Sequence, residues 1–196
     1  MLDFRNISVH YGHQDVLTGV TFRVNKGDRV GIVGPNGSGK STLFKIILGE
    51  LSTDSGELVV EQNPRIGWTR QNPAPDTPGQ TLLDYSLKGI PGLSEMEAEM
   101  AALEADLADP AKLKRYGELQ TKFEHLGGYD IETRVKIALG GLGFTTEDFQ
   151  KPFMSFSGGW RMRAELSRVL ASRPDLLLLD EPSNYLDLPA VEWLQK

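Results

Sequence analysis

Gly34-Pro35-Asn36-Gly37-Ser38-Gly39-Lys40-Ser41 is the stretch that decides how the rest of the sequence is read. It fits the spacing G-x-x-x-x-G-K-[ST], with Gly34, Gly39, Lys40 and Ser41 at the fixed positions. Upstream, Asp28-Arg29-Val30-Gly31-Ile32-Val33 predicts a short buried strand. Downstream, Ser41 to Leu48 predicts a helix closed by Gly49, a residue suited to a left-handed C-cap. Strand, glycine-rich loop and helix in that order make a cradle for a polyphosphate. Glycines let backbone N–H groups turn toward phosphate oxygens. The helix beyond adds unpaired amides and the positive end of its dipole. Lys40 supplies a point charge for the terminal phosphates, and the Ser41 hydroxyl is placed to hold Mg²⁺.

The 196 residues hold one domain, or one domain with an insertion, and can bury a substantial core. Hydrophobic content of 39% and charged content of 24% are those of an ordinary globular chain. No apolar run approaches the ~18 residues that cross a bilayer, and the start of the sequence lacks the plan of a signal peptide. The absence of cysteine excludes a disulfide framework and a thiolate site, and fits a reducing cytoplasmic setting. A net charge of −6 gives no general attraction to nucleic acid or acidic membrane, and leaves room for a local basic face.

Outward from the loop, Leu2 to Val9 alternates apolar and polar residues as a half-buried strand does. Tyr11 to Asp15 reads as a turn, Val16 to Val24 as further strand, and Asn25 to Asp28 as a second turn. The opening is therefore expected to form a β-rich layer beside the nucleotide core. Gly56–Val60 and Arg65–Thr69 read as two more short strands. Gln71 to Gly79, with three prolines, suits a hinge, and helical composition begins at Thr81.

From Ser94 the pattern changes. Ser94 and Glu97 resemble a capping box, and Met96, Met100, Leu103 and Leu107 make a narrow apolar stripe. Asp109-Pro110 breaks it; Leu113, Tyr116, Leu119 or Gln120, Phe123 and Leu126 resume it, predicting two antiparallel helices of about 15 residues each. The first is acidic, and Lys112, Lys114, Arg115 and Lys122 make the second partly basic. Such charges either keep a solvated hairpin soluble or mark an arm that touches a partner. Ile131 to Leu142 predicts another helix, ended by Gly143.

Two further constellations carry chemistry. At Phe156-Ser157-Gly158-Gly159-Trp160, Ser157 is a good N-cap and the glycines free the following amides, so this helix start is a second anion cradle. Met162, Leu166, Val169 and Leu170 give that helix its buried face. Leu176 to Leu179 predicts a strand covered on both faces, with Asp180 and Glu181 at its C-terminal end, where open α/β sheets bind ligands. There Asp180 is suited to the Mg²⁺ shell and Glu181 to orienting or deprotonating an attacking water.

These motifs in this order resemble the ATP-binding cassette ATPases across essentially the whole chain. Gly34–Ser41 looks like Walker A, Gln71 the Q-loop glutamine, Ser157-Gly158-Gly159 the signature, Asp180-Glu181 Walker B with its catalytic glutamate, and Ser183–Asp187 the D-loop. Phe156 to Arg163, Glu181-Pro182-Ser183-Asn184-Tyr185-Leu186-Asp187 and the hairpin from Ser94 to Leu126 are similar to the ABC-F class, whose members carry two cassettes and no membrane domain. Ser183 and Tyr185 stand where that class favours threonine and histidine.

The resemblance implies an α/β P-loop NTPase fold with an antiparallel β subdomain and a helical subdomain bearing a helical-hairpin arm. It divides the chain into a core with β subdomain and phosphate loop over 1–90, the arm over 91–126, the helical subdomain leading to the signature over 127–160, and the signature helix, Walker B strand and D-loop over 161–196. It implies ATP and Mg²⁺ as cofactors. Catalysis falls to Glu181, Gln71 and Lys40, and the metal to Ser41, Gln71 and Asp180. Nucleotide binding falls to Tyr11, stacking on adenine, to Gly34, Asn36, Gly37, Ser38, Gly39, Lys40, Ser41 and Thr42, and to Ser157, Gly158 and Gly159 across an interface with a second cassette.

The implied partners are that second cassette and the ribosome with its tRNA, in translation or antibiotic resistance, without membrane insertion. The rivals are a transporter's nucleotide-binding subunit and a non-catalytic module with decayed motifs. Intact Lys40, Asp180 and Glu181 speak against the latter. The family's switch histidine lies on a further strand beyond Walker B, and the histidines here are His10, His13 and His125. The sequence accordingly reads as a first cassette, truncated after the D-loop.

Overall fold

The computed structural model describes residues 1–61, 63–69, 79–89 and 92–194. They divide into two compact units, Met1–Ile66 with Asp175–Leu178, and Gly67–Pro174 with Leu179–Lys196.

The first unit is built on β1 (Leu2–Tyr11), β2 (Gln14–Val24) and β3 (Ser55–Val60), an antiparallel sheet in the order β2-β1-β3. In β1 the apolar residues fall at Leu2, Phe4, Ile7 and Val9, all buried, so the alternation slips by one residue between Phe4 and Ile7. The sheet accommodates the slip as a bulge, with register shifts against both neighbours and Asn6 at φ 52°. Phe4 stacks on Phe22 with ring centroids 4.2 Å apart. The helix α1 (Lys40–Ile47) buries Leu43, Ile46 and Ile47. It ends as expected at Gly49, whose φ is +71°. Gly49 N–H donates to the Ile46 carbonyl and Glu50 N–H to the Lys45 carbonyl, which together are the bonds of a Schellman cap.

The predicted strand over residues 28–33 forms no assigned strand. Strands are stabilised through a ladder, and this segment leaves Val30 54% and Val33 96% exposed. Strand β4 (Ile66–Thr69) is hydrogen-bonded to β5 (Leu176–Leu179) in a two-stranded sheet. With so few strands the four leucines are not covered on both faces: Leu178 is buried and the other three are half-buried.

The second unit is helical: α2 (Leu82–Leu87), α3 (Leu93–Glu104), α4 (Pro110–His125), α5 (Ile131–Gly141), α6 (Gly158–Ala171) and α7 (Leu188–Leu194). Its main core gathers Leu82, Tyr85, Leu119, Phe123, Val135, Leu139, Phe153 and Ala164, with Tyr85 stacked on Phe153. Thr81 starts α2 with a capping box to Asp84. The hairpin is α3 against α4, tied by two parallel bonds from Arg115 to Glu99 at 2.7 and 3.1 Å.

Three expectations about it change. Gly92, at φ +79°, is the N-cap of α3 in place of Ser94, because the helix already begins at the buried Leu93. Leu107 lies past the end of α3, in the turn before Pro110, which no longer holds the helical spacing. Leu113 is 53% exposed, since the packed face of α4 runs through Tyr116, Leu119 and Phe123. A smaller core of Leu142, Leu166 and Ala190 packs with Leu179, Leu186 and Trp193.

Candidate functional site

The phosphate loop lies in the first unit. Gly37 and Gly39 hold φ of +82° and +89°, a backbone that L side chains rarely adopt. At Gly39 a side chain would also collide with Leu17 and crowd the Val16 carbonyl, so the start of α1 sits directly against β2. The Lys40 ammonium folds back over the loop, donating to the Gly34 carbonyl at 2.9 Å and the Pro35 carbonyl at 3.0 Å. A loop whose carbonyls hold the lysine in place presents its amides and a fixed positive charge together. Asn36, Gly37, Ser38 and Ser41 are exposed along the same turn, while Thr42 is buried one residue into the helix.

Tyr11 pairs with Gln14 at the tip of the β1–β2 hairpin and is 49% exposed. Val16, which touches Gly39, follows two residues after that turn. The structure thus brings Tyr11 and the loop to one end of the first unit. Behind the tip, His10 is bonded through its backbone N–H to Asp54 at 2.7 Å, and this bond holds the Asp54 carboxyl below its ordinary range.

In the second unit, Ser157 occupies the N-cap position of α6 as predicted, with extended backbone, but its side chain makes no capping bond. Ser157 and Gly158 are exposed, and nothing lies within 4 Å of where a Cβ would stand on Gly158 or Gly159. The helix start is open to an anion. Asp180 and Glu181 follow β5. Glu181 sits at φ 49°, ψ 50°, a left-handed backbone uncommon outside glycine and asparagine, and leads into a 3-10 turn over Pro182–Asn184. Its carboxylate accepts from Asn184 Nδ2 at 2.9 Å. Gln71 lies outside the described residues.

Two features went unread in the sequence. Glu165, fully buried in α6, accepts from Tyr85 Oη at 2.6 Å and pairs with Arg168 at 2.6 Å. The signal was an acid on the stripe of Met162, Leu166 and Val169, where a charge needs partners. Arg163 bonds the Tyr185 carbonyl at 2.8 Å and pairs with Asp187 at 2.9 Å. The Asp187 carboxyl is held below its ordinary range chiefly by the Ala190 backbone N–H, then by Arg163. Nothing in the spacing of residues 163 and 187 announces that pair.

Comparison with known proteins gives the same frame. The ABC transporter family matches residues 17–184. The probable ATP-binding protein YheS of Escherichia coli K12 is 38% identical over all of this chain and 30% of its own length. The tylosin resistance ATP-binding protein TlrC of Streptomyces fradiae is 36% identical over all of this chain and 37% of its own. The chain thus spans about a third of the length of these curated relatives. A solved inward-facing conformation of a putative metal-chelate type ABC transporter superposes with a TM-score of 0.63 at 26% identity. It covers 98% of this chain and 64% of that one. No helix among the described residues is long and apolar enough to cross a membrane.

Proposed function

The chain belongs to the ABC transporter family, alongside proteins of the ABC-F type, and we propose that it is a Mg²⁺-dependent ATPase cassette acting on the ribosome, in translation or antibiotic resistance. The observation that carries the nucleotide part is the loop itself: Lys40 is held over Gly34 and Pro35 beside two left-handed glycines. Tyr11, at the same end of the unit, takes the adenine, and the loop amides with Lys40 take the β- and γ-phosphates. The Ser41 hydroxyl and Asp180 carboxylate are hard oxygen donors of the kind Mg²⁺ prefers, which fits that ion; Mg²⁺ neutralises charge on the terminal phosphates when bound. Glu181 orients the attacking water, and Gln71 completes the set by resemblance.

By the resemblance, each chain carries one phosphate loop and one signature, and the open helix start at Ser157 serves the site of a partner cassette. It faces the nucleotide of a second cassette, in the same natural protein or in a homodimer mate, and meets charge developing on the γ-phosphate. The ribosomal assignment rests on kinship with the ABC-F type and on the hairpin of α3 and α4. TlrC, whose name records tylosin resistance, supports the resistance branch.

The test uses the full-length protein. Lys40→Ala is expected to weaken ATP binding about tenfold or more in calorimetry, a loss of ~1.4 kcal/mol or greater. Glu181→Gln is expected to keep ATP bound while turnover falls about a hundredfold, the scale of a lost general base. With ATP trapped in that variant, cosedimentation with ribosomes supports the reading; copurification with membrane subunits instead overturns it in favour of a transporter.

A further inference from the structure

The Arg163 guanidinium is 13% exposed, and each of its three nitrogens has a partner. Nε donates to the Tyr185 carbonyl at 2.8 Å, Nη1 to the Leu142 carbonyl at 3.3 Å, and Nη2 pairs with Asp187 at 2.9 Å. The Trp160 ring covers the guanidinium at 4.6 Å. One side chain on α6, six residues beyond Ser157, therefore gathers the end of α5 and the segment after Glu181.

That segment is short and internally bonded. Asn184 N–H donates to the Glu181 carbonyl and Tyr185 N–H to the Pro182 carbonyl, while Asn184 Nδ2 holds the Glu181 carboxylate. Glu181 is in a left-handed conformation, which persists where the surroundings determine it. The bonds run in series: Arg163 to Tyr185, Tyr185 and Asn184 through the turn, and Asn184 to Glu181. We propose that Arg163 is the positioning residue that keeps the Glu181 carboxylate aimed, by fixing the far end of its turn to the signature helix. The assignment rests on the role of Glu181 given above. Arginine is required because its planar fork serves carbonyl and carboxylate acceptors together, and lysine presents a single point charge.

The experiment measures steady-state ATPase and ATP affinity on the full-length protein, with Glu181→Gln as reference. Arg163→Ala is expected to lower kcat about tenfold with ATP affinity unchanged within about twofold, the pattern of a group that acts after binding. Arg163→Lys, which retains the Asp187 pair, is expected to recover about half of that loss on a logarithmic scale. The double variant Arg163→Ala/Asn184→Ala is expected to be no slower than the slower single one, because both act in one series.

Losses that multiply, normal kcat in Arg163→Ala, or a loss of affinity matching that of kcat would overturn the assignment. Should Arg163→Ala fail to fold, Arg163→Lys and Asp187→Asn are compared in its place, and full kcat in both overturns it equally. If Glu181→Gln itself keeps full turnover, the reading of Glu181 fails first, and the two failures are told apart.

Discussion

At one glycine the backbones of two strands approach so closely that a side chain has no room. A Cβ on Gly56 would lie 2.3 Å from the Asn6 carbonyl oxygen and 2.4 Å from that of Arg5, and Gly56 itself holds φ +75°. Both obstacles are backbone, so neither can swing away. They exist because Asn6 turns through the left-handed region to absorb the extra residue of the β1 bulge. Gly56→Ala is therefore expected to cost ~2–4 kcal/mol, combining an unfavourable backbone conformation with overpacking. Chemical denaturation should show a fall in midpoint at constant slope. A change below ~0.5 kcal/mol, the scale of an indifferent surface site, would mean the bulge is not held as described. The slip is written in the spacing of Phe4 and Ile7, three residues apart where two were due, and reading Leu2 to Val9 as plain alternation passed over it. Its consequence at Gly56 was not, because the partner strand is some fifty residues away in sequence.

At the scale of elements, the short turn that follows α5 shows how local chemistry sets pH dependence. Asp148 accepts from the Thr145 backbone N–H and hydroxyl, each at 2.8 Å, and from Lys151 at 2.7 Å. Lys151 contributes most, and together these donors hold the carboxyl down to about 2 from 3.8. The folded chain thus binds this proton more weakly than the unfolded chain does. The stabilisation is complete above pH ~4, and is lost as pH falls through about 2. With Lys151 largely in solvent, its worth is about 1 kcal/mol. Asp148→Asn should be less stable than the parent by about that amount at pH ~7, and the two unfolding curves should converge near pH ~2. A constant difference across that range would assign the effect to packing instead.

Such caps are legible: Thr145 and Asp148, like Thr81 and Asp84, are the right types three apart. Ser94 and Glu97 have the same spacing without forming one, because burial of Leu93 moved the helix start. The local code proposes a cap, and the core chooses among proposals.

For the whole molecule, the motifs pointed to the family, and strands lacking a defined partner were among the readings that changed. Gly34–Ser41 specifies its own backbone and needs nothing distant to be recognised. Residues 28–33 and the leucines of β5 depend on what lies beside them, which single-segment periodicity does not record. The division into two units has a thermodynamic consequence. The phosphate loop, Tyr11 and α1 belong to the first, whereas Trp68, Trp160 and Trp193 all belong to the second. Each unit has its own buried residues, from Phe4 and Ile7 in one to Leu82, Val135 and Leu139 in the other. A ligand that binds only the folded loop adds ~2.7 kcal/mol at a hundred times its Kd, and adds it to whatever unfolds together with that loop. ATP added with a chelator and no Mg²⁺, whose proposed contacts Tyr11, Lys40 and the loop amides all lie in the first unit, is therefore expected to raise the unfolding midpoint followed through the sheet by circular dichroism, and to leave the tryptophan fluorescence midpoint in place. If both midpoints rise together, the two units unfold as one cooperative body, and the separate cores are not separate in energy.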